Sequence, residues 1–273
     1  MREKIAVVLT CFNRREKTVS CVESLLKGNE KYDIRFVVVD DGSTDGTKQA
    51  LEALDCQMKI ITGGGKLFWT GGMYTGLEYV LKSADKLDYV MLVNDDVLFL
   101  EGAIDGMVTT IKDIGCDAVV GATRDTSGRL SYGGVRKKSK FLARFELMEL
   151  GSGQQCDTFN CNAVLLKSQS FKDAGNLDRK YVHSMADYDY GMHLRRLGQI
   201  VVLHDAYVGI CDDNASEGTW KDTSLSRSQR LKLKESPKGL PRADWFHFIN
   251  KNYGFISAIY HSLTPYIRIL LGK

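Results

Sequence analysis

The sequence lacks the cysteine patterns of disulfide-stapled or zinc-bound proteins. Its seven cysteines are an odd number, and no two of them form a CxxC pair. Small disulfide scaffolds and zinc knuckles both depend on paired cysteines. We therefore predict reduced thiols and a cytoplasmic location.

Long apolar runs are also missing. The most apolar stretch, 254–271, is interrupted by His261, Pro265 and Arg268, so it falls short of the ~20 apolar residues that a spanning helix needs. The apolar run before Thr10 has only five residues, 5–9, which is too few for a signal-peptide core. With 44% hydrophobic and 26% charged residues, the composition predicts a folded globular protein.

Proline is scarce and confined to one end of the chain. All three prolines lie in residues 221–273, which carry ten Lys/Arg and three Asp/Glu, a net charge of +7. Residues 1–220 carry 27 Lys/Arg and 31 Asp/Glu, a net charge of −4. The overall charge of +3 therefore conceals an acidic body and a basic tail, with a predicted boundary near residue 220.

Buried strands and amphipathic helices alternate in the first half, which predicts an α/β fold with a mainly parallel central sheet flanked by helices. The predicted strands are 5–9, 34–39, 58–61, 89–93 and 118–120, and the predicted helices are 15–27, 45–54, 72–83 and 101–113. After residue 122 the pattern loosens, with strands expected at 129–135, 141–147, 159–166 and 200–203, and helices at 168–174 and 187–197. We divide residues 1–220 into a Rossmann-like half of nucleotide-binding type, 1–121, and a mixed half, 122–220, that completes a cleft.

Acidic residues follow two of the predicted strands. Asp40 and Asp41 end one strand, and Asn94-Asp95-Asp96 follow another. The carboxyl ends of parallel strands meet at one edge, where ligands bind, and paired carboxylates there suit a hard cation completed by substrate phosphates. Asp41, Ser43 and Asp45 are interpreted instead as turn and N-cap residues.

A glycine-rich segment, 63–72, follows the third predicted strand. Gly71 and Gly72 are expected at a helix start, where amide N–H groups bind anions. Phe68 and Trp69 form either a sugar platform or an aromatic plug that holds the loop down. The segment is not GxGxxG, and nothing of that kind follows the first strand, so a dinucleotide oxidoreductase is disfavoured.

Four motifs in order resemble the family 2 glycosyltransferases of the GT-A fold. They are Thr10-Cys11-Phe12-Asn13-Arg14, the run 37–46 (VVVDDGSTDG), Asn94-Asp95-Asp96, and the acidic segment 185–190 (MADYDY) that leads into Leu194-Arg195-Arg196-Leu197-Gly198. The loop 67–72 is similar to one in the bacterial rhamnosyltransferase-like branch. The resemblance covers roughly residues 4–211.

The resemblance implies an inverting transfer of a sugar from a UDP- or dTDP-sugar donor, assisted by Mg²⁺ or Mn²⁺, in surface polysaccharide biosynthesis. It places Thr10 and Phe12 in the base pocket and Asp40 on the base or ribose. Asp95 would lie over the ribose and diphosphate, and Asp96 would bind the metal. The acceptor would be a glycan or a lipid-linked glycan.

The resemblance also makes Asp187 the catalytic base, which takes the proton from the acceptor hydroxyl. Asp187 and Asp189 are two residues apart and cannot share a helix face, so only one of them is expected in the cleft, and we choose Asp187. It is equally suited to be a helix N-cap, and both roles are compatible.

One departure from the family concerns the histidine that many members place near the metal. His204 comes slightly early in the sequence, and Cys211 falls nearer the expected position. Arg195 and Arg196 are interpreted as solvated helix residues, with phosphate contact by one of them as the alternative.

The basic tail contains an apolar stripe. Trp245, Ile249, Tyr253, Ile256, Tyr260 and Leu263 alternate spacings of four and three, which predicts one helical stripe. Three hypotheses remain open for it: docking on an anionic membrane at the inner face of the cell, packing on a second subunit, or packing on the protein's own body. A nucleic-acid partner is disfavoured because the predicted cleft is acidic.

Two other functions compete with glycosyl transfer. A sugar nucleotidyltransferase also uses acidic strand ends and a metal, but its glycine-rich phosphate loop would follow the first strand, where Thr10–Arg14 stand. A catalytically inactive nucleotide-sugar-binding partner is the third hypothesis, and it rests on Asn94 and Cys211 departing from the family pattern.

Overall fold

A computed structural model describes residues 2–151, 153–213 and 216–272. The strands of the main sheet are β1 (Lys4–Cys11), β2 (Asp33–Asp40), β3 (Gln57–Thr62), β4 (Tyr89–Val93), β5 (Leu98–Phe99), β6 (Ala118–Arg124), β7 (Leu130–Tyr132), β11 (Ala163–Lys167) and β12 (Val201–Ile210). A second sheet contains β8 (Gly134–Lys137), β9 (Phe145–Leu147) and β10 (Thr158–Phe159). The helices are α1 (Arg15–Leu26), α2 (Thr47–Glu52), α3 (Phe68–Lys82), α4 (Ala103–Ile114), α5 (Ser168–Ala174), α6 (Ala186–Arg196), α7 (Arg227–Lys234), α8 (Arg242–Tyr253) and α9 (Phe255–Leu270).

The main sheet is mixed, in the order β3-β2-β1-β4-β11-β6-β12-β5, with β7 beside β6. The first four strands of this order are parallel, as predicted for residues 1–121. The expectation of a mainly parallel sheet is too simple, because β11 runs antiparallel to both β4 and β6. No helix lies between β6 and β11 among the described residues, and only parallel neighbours require such a crossover.

Two predicted strands of the second half are each divided in the structure. The predicted strand 159–166 is two strands in different sheets, β10 and β11, separated by a turn at 160–162. The predicted strand 129–135 is likewise divided between β7 and β8 by Gly133. At each division the chain passes from one sheet to the other. The apolar pattern of the sequence does not predict this change of sheet.

Glycine allows α3 to lie close against the parallel strands. A Cβ on Gly76 would come within 2.6 Å of the Val8 side chain of β1. The main sheet is covered by helices on both faces, and its central residues, such as Leu9 and Val38, are fully buried. The close approach of α3 brings the glycine-rich loop to the carboxyl edge of β1 and β2.

The tail does not contain the single helix that the stripe predicts. α8 and α9 are separate helices, and Gly254 between them has φ 87° and ψ 168°, a conformation that glycine adopts without steric cost. Ile249 is fully buried in α8, whereas Ile256 is 85% exposed in α9. The stripe is therefore divided into a packed half and an exposed half.

Across the described ranges, no helix combines the length and apolar character needed to cross a membrane.

Candidate active site

Arg14 connects the two carboxylates that follow β4. Its Nη1 atom donates to Oδ1 of Asp95 at 2.8 Å and to Oδ2 of Asp96 at 3.0 Å. Arg14 follows β1, and β1 pairs directly with β4, so the parallel arrangement brings these residues together. The guanidinium supplies the cation that two neighbouring carboxylates require.

Asp95 is the more buried carboxylate of the pair. Burial raises its pKa, and the charge and hydrogen bond of Arg14 partly offset that effect. Thr18 of α1 also donates to its Oδ2 at 3.3 Å. Asp95 is thus held by α1 and by the β1 loop together.

Cys211, and not His204, lies beside Asp96. The Cys211 Sγ atom is 3.6 Å from Oδ1 of Asp96, and burial together with that carboxylate raises the pKa of the thiol to about 12. His204 lies earlier on β12 and contacts Thr110 of α4, with Nδ1 2.8 Å from Oγ1. The histidine is therefore a packed residue outside the acidic cluster.

Side chains join the loops after β1 and β2. Asn13 Oδ1 accepts from the Thr44 N–H at 2.8 Å, and the Asn13 N–H donates to Ser43 Oγ at 2.9 Å. Asp45 accepts from the Arg15 N–H at 3.0 Å. The buried Asp40 accepts from the Ser43 N–H at 2.8 Å through one oxygen, Oδ1.

Asp41 organises the glycine-rich loop. Its carboxylate accepts from the N–H groups of Gly65 and Leu67 at 2.8 Å each and from Phe68 at 3.2 Å. A Cβ on Gly63 would come within 2.5 Å of Asp41 Oδ1. The prediction of a turn residue at Asp41 missed this longer-range role, because the loop lies more than 20 residues away in sequence.

Gly72 was expected at the start of a helix, but the helix begins four residues earlier. α3 begins at Phe68, the N–H of Gly71 donates to Leu67 O at 3.0 Å, and Gly72 lies in the second turn. A Cβ at Gly72 would come within 2.1 Å of Thr10 Oγ1, and that hydroxyl already donates to Val39 O. Gly72 thus provides close packing, while Phe12 is 47% exposed at the rim.

Trp69 links the end of β4 to the segment before α6. Its Nε1–H donates to Asn94 Oδ1 at 2.7 Å, and its backbone N–H donates to His183 Nδ1 at 3.4 Å. Burial, with Lys238 and Arg14 adding to the effect, lowers the pKa of His183 to about 4. His183 is therefore a neutral acceptor, and Trp69 is held as a wall residue between two loops.

Asp187 lies in the first turn of α6 and is partly buried. Burial raises its pKa to about 6, against hydrogen bonds from the Tyr188 and Cys161 N–H groups that lower it. Cys161 and Asn162 lie between Asp187 and the acidic cluster, since Asn162 contacts Cys211 and accepts from the Asn94 N–H. The turn at 160–162 therefore connects the Asp187 carboxylate, through Cys161 and Asn162, to the strand end that carries Asn94.

Asp189 points away from Asp187 and is tied to the tail. It accepts from Lys251 Nζ at 2.6 Å and from Asn252 Nδ2 at 3.0 Å, and its side chain is 3% exposed. Arg196 also donates to the tail, at Asn252 Oδ1, while Arg195 donates to Gln199 O. These described contacts of both arginines hold α6 in place.

Backbone strain is concentrated around the cleft. Within the described ranges, the non-glycine residues with positive φ are Asn13 (51°), Phe68 (52°) and Met185 (73°). They lie in the β1 loop, the glycine-rich loop and the segment before Asp187. Non-glycine residues adopt this conformation at a cost that surrounding structure must offset, and such strain is typical of functional sites.

The acidic cluster fits a cation that takes most of its ligands from a substrate. In the part of the chain that the structure describes, no group of three or more His, Cys, Asp and Glu side chains is arranged to hold a metal ion. Mg²⁺ and similar ions are commonly held by one or two carboxylates together with phosphates and water. Asp95 and Asp96 meet that requirement, with Arg14 occupying the position between them.

Two contributors to the site were not assigned roles from the sequence. Arg14 lies in the motif 10–14, for which the sequence predicts no cation role. A cation that follows β1 nevertheless faces the acids that follow β4, because the two strands are parallel neighbours. The sequence does not predict the role of Lys251, because its partner Asp189 is 62 residues away along the chain.

The chain resembles known glycosyltransferases in sequence. The family model described as Glycosyl transferase family 2 matches residues 6–169, more than half of the chain. The chain is similar to the glycosyltransferase GlyG of Streptococcus pneumoniae, with 27% identity over 214 residues that cover 76% of this chain and 66% of GlyG. The chain thus spans slightly less than two thirds of that relative.

Two solved structures share the fold. The mannosyltransferase PcManGT from Pyrobaculum calidifontis, in complex with GDP-Man and Mn²⁺, has a TM-score of 0.61 at 14% identity, covering 99% of this chain and 75% of the other. TarS 1–349 from S. aureus in complex with UDP-GlcNAc has a TM-score of 0.59 at 14% identity, with coverages of 97% and 81%. The predicted GT-A-type fold is confirmed.

Proposed function

Because the chain belongs to glycosyl transferase family 2, we propose that it transfers a sugar, with inversion, from a UDP- or dTDP-sugar to a hydroxyl of a glycan or lipid-linked acceptor. We assign the reaction to cytoplasmic synthesis of a surface polysaccharide. GDP-Man and UDP-GlcNAc in the complexes of the structural neighbours support a nucleotide-sugar donor.

The observation that carries the proposal is the difference between the two acids of α6. Asp187 has a pKa of about 6, so it is largely ionised at neutral pH and basic enough to accept a proton. Asp189 is held by Lys251 and Asn252 and has no such freedom. Of the two acids, Asp189 is paired with a cation, whereas the described hydrogen bonds of Asp187 come from backbone N–H groups.

In the proposed reaction, Asp187 takes the proton from the acceptor hydroxyl as its oxygen attacks the anomeric carbon. The bond between that carbon and the diphosphate oxygen breaks, and the nucleoside diphosphate leaves from the opposite face. Asp40, Thr10 and Phe12 line the proposed base pocket. Trp69, fixed by Asn94, forms the wall between donor and acceptor.

Asp96, with Asp95 beside it, would hold a divalent cation, Mg²⁺ or Mn²⁺. When bound, that cation offsets the negative charge that develops on the leaving diphosphate. Arg14 now occupies the space between both carboxylates. We propose that Arg14 turns toward the diphosphate in the loaded site, where its planar guanidinium suits phosphate oxygens.

The proposed donor site can be tested with a thermal-shift panel of UDP-, dTDP- and GDP-sugars, with and without Mn²⁺. A ligand that binds only the folded state raises the apparent melting temperature. We expect one donor class to stabilise the protein in a Mn²⁺-dependent way and Asp96→Ala to remove that dependence. Asp113→Ala, at an exposed position of α4, is the control. Equal stabilisation of Asp96→Ala and the wild type would refute the assignment of Asp96.

Hydrolysis of the bound donor separates the remaining hypotheses. A transferase slowly hydrolyses its donor to nucleoside diphosphate and free sugar, whereas a nucleotidyltransferase releases pyrophosphate from a nucleoside triphosphate. A catalytically inactive binding partner shows neither reaction, and Asp187→Asn leaves its donor binding unchanged.

A further inference from the structure

The last described helix presents its apolar side to solvent. In α9, the exposed large apolar residues recur every three or four positions, which places them on one face. Their exposed fractions range from 47% to 85%, and the members are Ile256, Ile259, Tyr260, Leu263, Ile267 and Leu270. We call this the α9 face. Arg268 is the one charged residue of α9, and it lies outside the α9 face.

The opposite side of α9 packs on the protein with mostly small or polar residues. Ala258, His261, Ser262 and Pro265 are buried there, together with Ile269. This is the reverse of the usual surface helix, which buries its large apolar side. A contiguous apolar surface of this kind marks an interaction site.

A basic loop lies against the same helix. Residues 136–144 contain five Lys/Arg and no acidic residue. Ser257 of α9 donates to Phe141 O at 3.2 Å, and the Ala143 N–H donates to His261 Nε2 at 3.2 Å. Phe141 is 78% exposed, so the loop adds an aromatic side chain and positive charge beside the α9 face.

The charge distribution favours an anionic lipid surface over a second copy of the chain as the partner of the α9 face. A second copy of the chain would bring another 136–144 loop, with five Lys/Arg and no acidic residue, against the first, and like charges oppose such a contact. An anionic lipid surface offers both an apolar interior and negative headgroups. Amphipathic helices with apolar residues on one side and neighbouring cations bind such surfaces.

We propose that the α9 face and the 136–144 loop dock the protein on an anionic membrane, with the apolar side chains in the headgroup–acyl boundary. Phe145, directly after the loop, packs edge-on against Tyr188 at 5.0 Å between ring centroids, and Tyr188 follows Asp187. The docking surface therefore adjoins the acceptor side of the cleft. The proposal is independent of the transfer reaction.

Vesicle co-sedimentation of the full chain tests the docking surface. We expect the protein to sediment with vesicles of equal parts phosphatidylcholine and phosphatidylglycerol at low salt, and not with phosphatidylcholine alone. Replacing Ile256, Ile259 and Leu263 by Gln should weaken binding by at least about tenfold. The matched control, Ile114→Gln with Ile200→Gln, removes exposed apolar side chains elsewhere and should bind as the wild type does.

A charge variant separates the two components of the surface. Lys140→Gln with Arg144→Gln should weaken binding by roughly tenfold at low salt and reduce its salt dependence. If the triple variant fails to fold, Ile267→Gln with Leu270→Gln tests the other end of the α9 face.

Three results would overturn the proposal. They are absence of sedimentation with anionic vesicles at low salt, unchanged binding by the α9-face variants, and a wild-type dimer in sedimentation equilibrium that those variants dissociate. The last result would assign the α9 face to a second copy. Donor hydrolysis by the same variants is expected to remain unchanged, so failure of docking and failure of the proposed chemistry are distinguishable.

Discussion

Replacing Asp187 by Asn should stabilise the protein while abolishing sugar transfer. The folded-state pKa of Asp187 is about 6, raised by burial from the ordinary value of 3.8. That rise corresponds to roughly 3 kcal/mol by which the fold disfavours the carboxylate. Asn keeps the shape and an acceptor oxygen for the Tyr188 N–H, which lies 2.8 Å from Asp187 Oδ1, but it carries no charge.

The pH dependence of this gain follows from the direction of the shift. Because the folded pKa is the higher one, the wild type is relatively most stable when Asp187 is protonated, and this advantage is lost as the pH rises from about 4 through 6. The increase in unfolding free energy caused by Asp187→Asn should therefore be near zero below pH 4. It should reach roughly 3 kcal/mol at pH 8, a rise in melting temperature on the order of 5–10 °C.

Asp189→Asn is the matched control, since it makes the same chemical change two residues away. It removes the charge that pairs with Lys251 at 2.6 Å. Breaking a fully buried pair costs about 3–5 kcal/mol. Lys251 is 32% exposed and keeps Asp178 as a second partner, so we expect a loss of about 2 kcal/mol. Donor hydrolysis per folded molecule should persist.

Urea denaturation at pH 4, 6 and 8, with donor hydrolysis measured on the same samples, distinguishes the two acids. A fall in the unfolding free energy of Asp187→Asn at pH 8 would refute the reasoning about its burial. Full hydrolysis activity in that variant would refute its role as the base.

Three further predictions concern the cleft. The kcat/KM for transfer should fall about fivefold between pH 6 and pH 5 as Asp187 becomes protonated, and a flat pH–rate profile there would contradict its role. Gly72→Ala should cost about 1–3 kcal/mol in urea denaturation, because its Cβ would meet Thr10 Oγ1 at 2.1 Å. Gly71→Ala, whose Cβ would lie 3.3 Å from Leu67, is its control and should be nearly neutral. Arg14→Gln should bind Mn²⁺ roughly fivefold more tightly in a thermal-shift titration without nucleotide, since no cation then competes for Asp95 and Asp96. Equal Mn²⁺ affinity in Arg14→Gln, Arg15→Gln and the wild type would contradict that competition.

The first half of the fold follows from local sequence signals. Continuous apolar runs predict β1, β2, β3 and β4, and the strand-end rule then predicts that Asp40, Asp95 and Asp96 share one edge. This succeeds because a parallel sheet converts positions along separate strands into neighbours. Arg14 could have been added by the same rule, since β1 and β4 are adjacent.

The second half depends on contacts that no local pattern encodes. The apolar residues of 163–167 indicate a strand but do not say that it runs antiparallel between β4 and β6. The spacing of three and four in the tail continues across Gly254, although the helix ends there. Sequence spacing shows that Asp187 and Asp189 face different ways; only the position of Lys251 shows which acid is neutralised.

The tail is connected by hydrogen bonds to α6, the helix that carries the proposed base. Besides the Lys251 and Asn252 contacts to Asp189, Asp244 of α8 accepts from the Val182 N–H at 2.9 Å, just before Met185 adopts its left-handed conformation. α8 thus holds both the approach to α6 and the first turn of the helix that carries Asp187. We infer that α8 supports the geometry of the proposed base and that α9, whose apolar side remains exposed, is available for docking. Positive charge therefore serves two purposes in this proposal: Lys251 of the tail neutralises the buried Asp189, while the cations of the 136–144 loop would meet an anionic surface beside the α9 face.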